Sequence, residues 1–273
     1  MLNEALREFV AALDDLEANL GFIQASKKLR PRLGDMLKWD VMGGDAKGLA
    51  QNFIKQAGVE ETSLYRGMVV TLCGALEEFT RRVLRDCVLA INKATPSYDE
   101  LEDRLKLQNL LRTGQALQTV FEPVDHLAFD YERLCRRLST CVKGSTVFQL
   151  NDDAFTMYVS NVTPTHLDDL LRRLGLNLNW DDIGQDGKLQ TFFDAKGARS
   201  TAKAVQDFLQ DVIRKRNKIA HNGSGGVVVT DNDLAQMISF FRLFSAAFSK
   251  VVCDNLLKSM PKKKSVAVRA SNQ

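Results

Sequence analysis

The sequence predicts an all-α bundle from three observations. Four long runs, over 2–29, 64–91, 201–221 and 234–257, carry apolar side chains at three- and four-residue spacing, the period of a helix that turns one face to a core. Only five prolines interrupt 273 residues, few enough for helices of this length to persist. Hydrophobic residues make up 45% of the chain, sufficient at this size to bury a core without disulfides or a structural metal.

In the first run, Leu2, Leu6, Phe9, Val10, Leu13, Leu16, Leu20 and Ile23 share a face. Lys27, Lys28, Arg30 and Arg32 surround Pro31 and are expected to end that helix in a basic turn, where cations suit the terminal carbonyls. Gly43, Gly44 and Gly48 break the period between Trp39 and Phe53 and read as a loop or hinge. No GxGxxG or GxxxxGK[ST] arrangement makes them a phosphate cradle. The run over 64–91 aligns Met68, Leu72, Leu76, Phe79 and Val83. It also spaces Glu77 with Arg81 and Glu78 with Arg82 as i,i+4 pairs, which on a surface contribute roughly 0.3–0.5 kcal/mol each.

The middle region, 96–199, shows helical patches around 99–120, 127–142 and 165–175, separated by polar and glycine-containing links. Thr165 and Asp168 are spaced as a capping pair. Arg133, Arg136 and Arg137 read as a solvated helix face or as a basic patch for an RNA backbone. The third long run carries Val205, Phe208, Leu209, Val212 and Ile213, resumes at Ile219 and Ala220, and meets Gly223, a residue suited to capping a helix C-terminus. Thr230 and Asp233 have capping-box spacing before Leu234, Met237, Ile238, Phe241, Phe244, Phe248 and Val251. Pro261 and three lysines then open a basic, flexible tail over 259–273.

The formal net charge of +3 is too small to establish nucleic-acid binding, so the placement of cations matters more than their sum. Five cysteines without a CxxC pair suggest buried thiols in a reducing compartment. The first residues lack the basic start, apolar stretch and cleavage site of a secretory signal. No run is expected to reach the ~20 apolar residues that cross a bilayer. A cytoplasmic protein with no membrane contact is the expectation.

Cations and a histidine converge at the end of the third run, where Arg214, Lys215, Arg216, Asn217 and Lys218 precede His221. At ~100° per residue, Arg216 falls on the line of Val205, Leu209 and Val212, where an apolar side chain would otherwise stand. It needs a partner or water. His221 lies ~140° around the helix and ~7.5 Å further along, whereas Arg214 and Asn217 lie within ~40° of its direction. His126 and His166 have carboxylates near in sequence, but neither has a second histidine or cysteine at ligand spacing, so they read as structural residues and no metal site is expected.

Arg216, the polar Asn217 and His221 after four intervening residues resemble the Arg-x4-6-His motif of the HEPN superfamily, and Arg214 also satisfies the spacing. Leu72, Ala75, Leu76, Glu77, Glu78 and Phe79 resemble the first core helix of that family. The resemblance implies a HEPN-like helical bundle built from 64–95 and 200–258. Residues 1–63 would form an N-terminal helical region, and 96–199 a long helical and loop insertion between core helices.

What the resemblance implies about activity is a metal-independent endoribonuclease without cofactor, in a defence or toxin–antitoxin context. The substrate's own 2′-hydroxyl would attack the phosphate, leaving a 2′,3′-cyclic phosphate and a 5′-hydroxyl. His221 would be general acid or base, Arg216 would stabilise the phosphate and transition state, and Asn217 would orient them by hydrogen bonding. Glu77 would face the site and orient Arg216. Arg214 is the other candidate arginine, and Lys215 and Lys218 would attract the RNA backbone. HEPN relatives face two such motifs across a dimer, which implies a homodimer with a composite active site, and an antitoxin or activator protein as a further partner. A non-catalytic HEPN-like module that binds RNA or protein is the alternative, and a helical scaffold with an accidental motif is a third reading. Gly223 stands where HEPN toxins inactivated by nucleotide modification carry a tyrosine, so that regulation does not carry over.

Overall fold

The long apolar runs fold as helices that share one core. A computed structural model describes residues 2–56, 61–121, 129–222 and 227–260; among them are eleven α-helices and no strand. In chain order these are α1 (Asn3–Lys38), α2 (Gly44–Gln56), α3 (Glu61–Ala94), α4 (Asp103–Phe121), α5 (Tyr131–Thr140), α6 (Asp152–Thr156), α7 (Pro164–Arg173), α8 (Trp180–Gly184), α9 (Gly187–Phe193), α10 (Ala198–Asn222) and α11 (Asp231–Ser259). A 3-10 turn, Tyr98–Glu100, precedes α4.

The centre is aromatic. Phe9 of α1 stacks on Phe79 of α3 with ring centroids 4.8 Å apart, and Phe79 meets Phe248 of α11 at 6.2 Å. Phe240, Phe241, Phe244 and Phe248 follow helical spacing along α11, and all four are fully buried. Each such side chain contributes about 1.5–3 kcal/mol of burial. Phe192 and Phe193 of α9 reach Phe208 of α10 and Phe240. Leu101, Leu105, Leu150, Phe155, Leu167, Leu171, Ile183 and Leu189, all from the middle region, lie in the same hydrophobic cluster as α1, α3, α10 and α11. These parts of the middle region therefore share the core of the long helices, while Ala116, Leu134, Ala154 and Met157 form a second, smaller cluster.

Gly184 shows how closely these layers approach. A Cβ there would overlap the carbonyl oxygen of Ala198 and lie 2.8 Å from the amide nitrogen of Ala202. Only glycine lets α8 sit directly on the first turns of α10.

Several local expectations are corrected. The basic stretch around Pro31 does not end α1, which continues to Lys38. Proline removes one backbone hydrogen bond, but the helix resumes, docks against α2 and closes with the Trp39 N–H donating to the Asp35 carbonyl. Lys27, instead of capping a helix, donates to Asp231 at the start of α11, 2.8 Å away. Gly44 opens α2 and Gly48 lies inside it, where packing on α1 offsets a propensity cost of about 1 kcal/mol at Gly48. Three short helices, α6, α8 and α9, lie outside the expected patches.

The helix α11 is long and apolar enough to cross a bilayer by length and composition, contrary to expectation, and 61% of that stretch is buried inside the protein. It is a core helix. Its start is the expected capping box, with Thr230 and Asp233 exchanging hydrogen bonds. For α7 the expected pair fails: Thr163 is the cap, accepting from His166 N, with Pro164 in the first turn. Asp168 accepts instead from Trp180 Nε1 at 2.9 Å, tying α7 to α8. The thiols divide, with Cys73 and Cys87 buried but Cys135 exposed. Arg133 and Arg137, expected on a solvated or RNA-facing surface, turn to the nearly buried Asp152 of α6, which Arg85 of α3 also reaches at 3.3 Å.

Candidate functional site

Arg216 continues the buried face of α10. Val205, Leu209, Val212 and Ile213 fill the core before it, and Ile219 is buried after it, while Ala220 is exposed. The guanidinium is directed toward α3. Its Nη2 lies 3.5 Å from Glu77 Oε1, with both side chains largely buried. Its Nη1 donates to Asn217 Oδ1 at 3.1 Å and to Asn161 Oδ1 at 3.0 Å. Its Nε is buried and has no acceptor among the described residues.

Asn161 joins the pieces. It sits between α6 and α7 in the left-handed backbone region, at φ 48°, which asparagine tolerates better than most residues. Its backbone N–H donates to Glu77 Oε1 at 2.8 Å, while its side chain accepts from Arg216. The segment is held on α3 by Arg81, which donates to the Val159 carbonyl at 3.2 Å, and by the burial of Val159 and Val162. The carbonyl of Asn161 faces Nδ1 of His166, 3.4 Å away. Thus α3, the α6–α7 connection, α7 and α10 meet at one polar cluster.

Glu77 does not pair with Arg81. Arg81 is bonded to Glu78, and Arg82 reaches the same Glu78 at 2.9 Å, which frees Glu77 for α10. The neighbouring Cys73 thiol is completely buried, and burial pushes it up to about 12; the nearby Arg216 opposes that shift and Glu77 adds to it.

The other candidates lie apart from this cluster. Arg214 is exposed and paired with Asp211 at 2.9 Å. Lys215 is 3.5 Å from Asp233 of α11. Lys218 and His221 are exposed on the last turns of α10, and no hydrogen bond from the described residues reaches the His221 ring. His126 and Gly223 lie outside the described residues. Asn161 and the placement of His166 were missed by sequence reasoning. The available signal was an asparagine in a turn between short apolar residues, just before a Thr-Pro helix start.

The described helices pack around an aromatic core and hold Arg216 against Glu77 of an earlier helix, and the family to which the sequence matches makes the chain a HEPN superfamily protein. Within it, residues 47–254 match the RiboL-PSP-HEPN family, to which the chain belongs. The match covers more than half of the sequence and runs through 96–199. No curated protein and no solved structure matches the chain. Family membership suggests a nuclease-like or RNA-related function.

Proposed function

We propose that the protein is a metal-independent endoribonuclease. The observation that carries this reading is the Arg216 guanidinium, fixed by Glu77, Asn161 and Asn217 where α3, the α6–α7 connection and α10 meet. A cation held rigidly at the edge of a helical bundle is preorganised to stabilise charge that develops on a phosphate. In the proposed reaction the 2′-hydroxyl of RNA loses its proton and O2′ bonds to phosphorus. The bond from phosphorus to O5′ breaks, and the leaving oxygen takes up a proton. Arg216 binds the phosphate, Glu77 and Asn217 orient Arg216, and His221 supplies one of the proton transfers. Lys218 and, on rearrangement of their ion pairs, Arg214 and Lys215 attract the backbone. Two copies facing each other would place both motifs along one groove, in a cytoplasmic defence or toxin role with an inhibitor or activator as partner.

The absence of any bond that orients the His221 ring among the described residues favours a second reading, an RNA-binding module without catalysis. One experiment separates them: incubation of an RNA pool in EDTA with the wild type and with His221→Ala, followed by mapping of the new ends. Cyclic-phosphate ends made by the wild type and lost in the variant are expected. RNA retained by the protein but left intact would select the binding module.

A further inference from the structure

Cleavage by 2′-hydroxyl attack needs two proton transfers, and α10 contributes a single histidine to them. A second imidazole stands beside the arginine site in the same chain. The ring of His166 is partly buried at the start of α7, and its backbone N–H is fixed by the Thr163 hydroxyl at 3.2 Å. Nδ1 lies 3.4 Å from the carbonyl oxygen of Asn161, the residue whose side chain accepts from Arg216 and whose N–H is held by Glu77. A carbonyl oxygen only accepts, so that contact places the ring proton on Nδ1 and leaves Nε2 as the basic nitrogen. The same residue, Asn161, therefore orients both the phosphate-binding cation and a histidine.

Resting on the ribonuclease reading above, we propose that His166 is the general base of the reaction and His221 its general acid. Nε2 of His166 takes the proton of the 2′-hydroxyl as O2′ bonds to phosphorus. His221 gives a proton to O5′ as the P–O5′ bond breaks. The products are a 2′,3′-cyclic phosphate and a 5′-hydroxyl. His166 ends with one extra proton and His221 with one fewer, and exchange with water restores both. Asn161 is a positioning residue that sets the distance between base and cation.

The test uses the full chain and two versions of one RNA oligomer, with oxygen or sulfur at the 5′ position of the scissile linkage. A thiolate leaves without needing a proton. Both His166→Ala and His221→Ala are expected to slow cleavage of the oxygen linkage by about 100-fold or more, the range for loss of an acid or base. The sulfur linkage should restore His221→Ala to near the wild-type rate and leave His166→Ala slow. His166→Asn keeps an N–H for the Asn161 carbonyl but has no base, so it should behave as His166→Ala; recovery of the rate in this variant would reduce His166 to a structural prop. Undiminished cleavage by His166→Ala, or rescue of that variant by sulfur, would overturn the assignment with the ribonuclease reading intact. A wild type that cleaves neither oligomer would remove that reading and this inference with it.

Discussion

Glu77 of α3 and Arg216 of α10 meet 3.5 Å apart, and Asn161 bonds to both. A charge pair this enclosed is destabilising to break from one side, because the remaining group keeps its desolvation cost without its partner. Glu77→Ala also removes the acceptor of the Asn161 N–H. It is expected to lower stability by about 1–3 kcal/mol in urea denaturation. Glu77→Gln keeps an oxygen for Asn161 and should fold with a smaller loss; on the proposed ribonuclease reading, RNA cleavage should fall in both variants. Equal stability of Glu77→Ala and the wild type would show that the pair does not hold the two helices together.

The cysteines report on the same junction. Thiolates, not thiols, react with alkylating agents, and burial pushes Cys73 and Cys87 up to about 12. Cys135 is exposed. Brief treatment with iodoacetamide at pH 8, read by peptide mass spectrometry, should label Cys135 and spare Cys73 and Cys87 until urea is added. Labelling of Cys73 as fast as Cys135 would mean that the helices around Arg216 open in the native protein.

The sequence revealed the four long helices because each carries its apolar face in a continuous period, from Phe9 through Leu16 in α1 and from Leu234 through Val251 in α11. It also marked Arg216 as misplaced for a solvated residue. The end of α1 was misread because Pro31 is a local signal, and local signals yield where a neighbouring helix supplies compensating burial. The short helices α6, α8 and α9 span only five to seven residues, less than two turns, so no period could be seen. Asn161 was invisible for a different reason. Its role arises from a turn that tertiary contacts press against α3, and nothing in the spacing of Val159, Asn161 and Val162 specifies that contact.

Acid should remove a defined part of the stability at the foot of α11. The hydrogen bond from Lys27 holds the Asp231 carboxyl below the usual carboxylate range, with the two groups 2.8 Å apart and about a third exposed. A depressed folded-state value means that the contribution is fully present above the unfolded carboxylate value, ~3.9, and is lost as pH falls through the folded one. Asp231→Asn should therefore be less stable than the wild type at pH 7 by about 0.5–1 kcal/mol, as for partly exposed ion pairs. The two proteins should converge in melting temperature as pH falls through the folded-state value, once the wild-type carboxyl is protonated as well. A constant difference across that range would assign the effect to something other than the Lys27 contact.

Gly184 sets how closely α8 can lie on α10, and so how firmly the motif helix is held. The backbone of α8 approaches so near that a methyl group would overlap the Ala198 carbonyl oxygen and press on the Ala202 amide. Both obstacles are backbone atoms of a helix, which cannot rotate aside as a side chain can. Gly184→Ala would ordinarily favour a helix by up to about 1 kcal/mol. Here the clash should reverse the sign, with destabilisation of at least 1–3 kcal/mol, the range for overpacking. Trp180 and Ile183 lie on the same short helix and are buried, so displacement of α8 would disturb the stacking of Trp180 on Phe244. The variant should show a lower melting temperature and altered tryptophan fluorescence together. A stabilised Gly184→Ala with an unchanged spectrum would mean that α8 is free to move away from α10, and that the position of Arg216 does not depend on it.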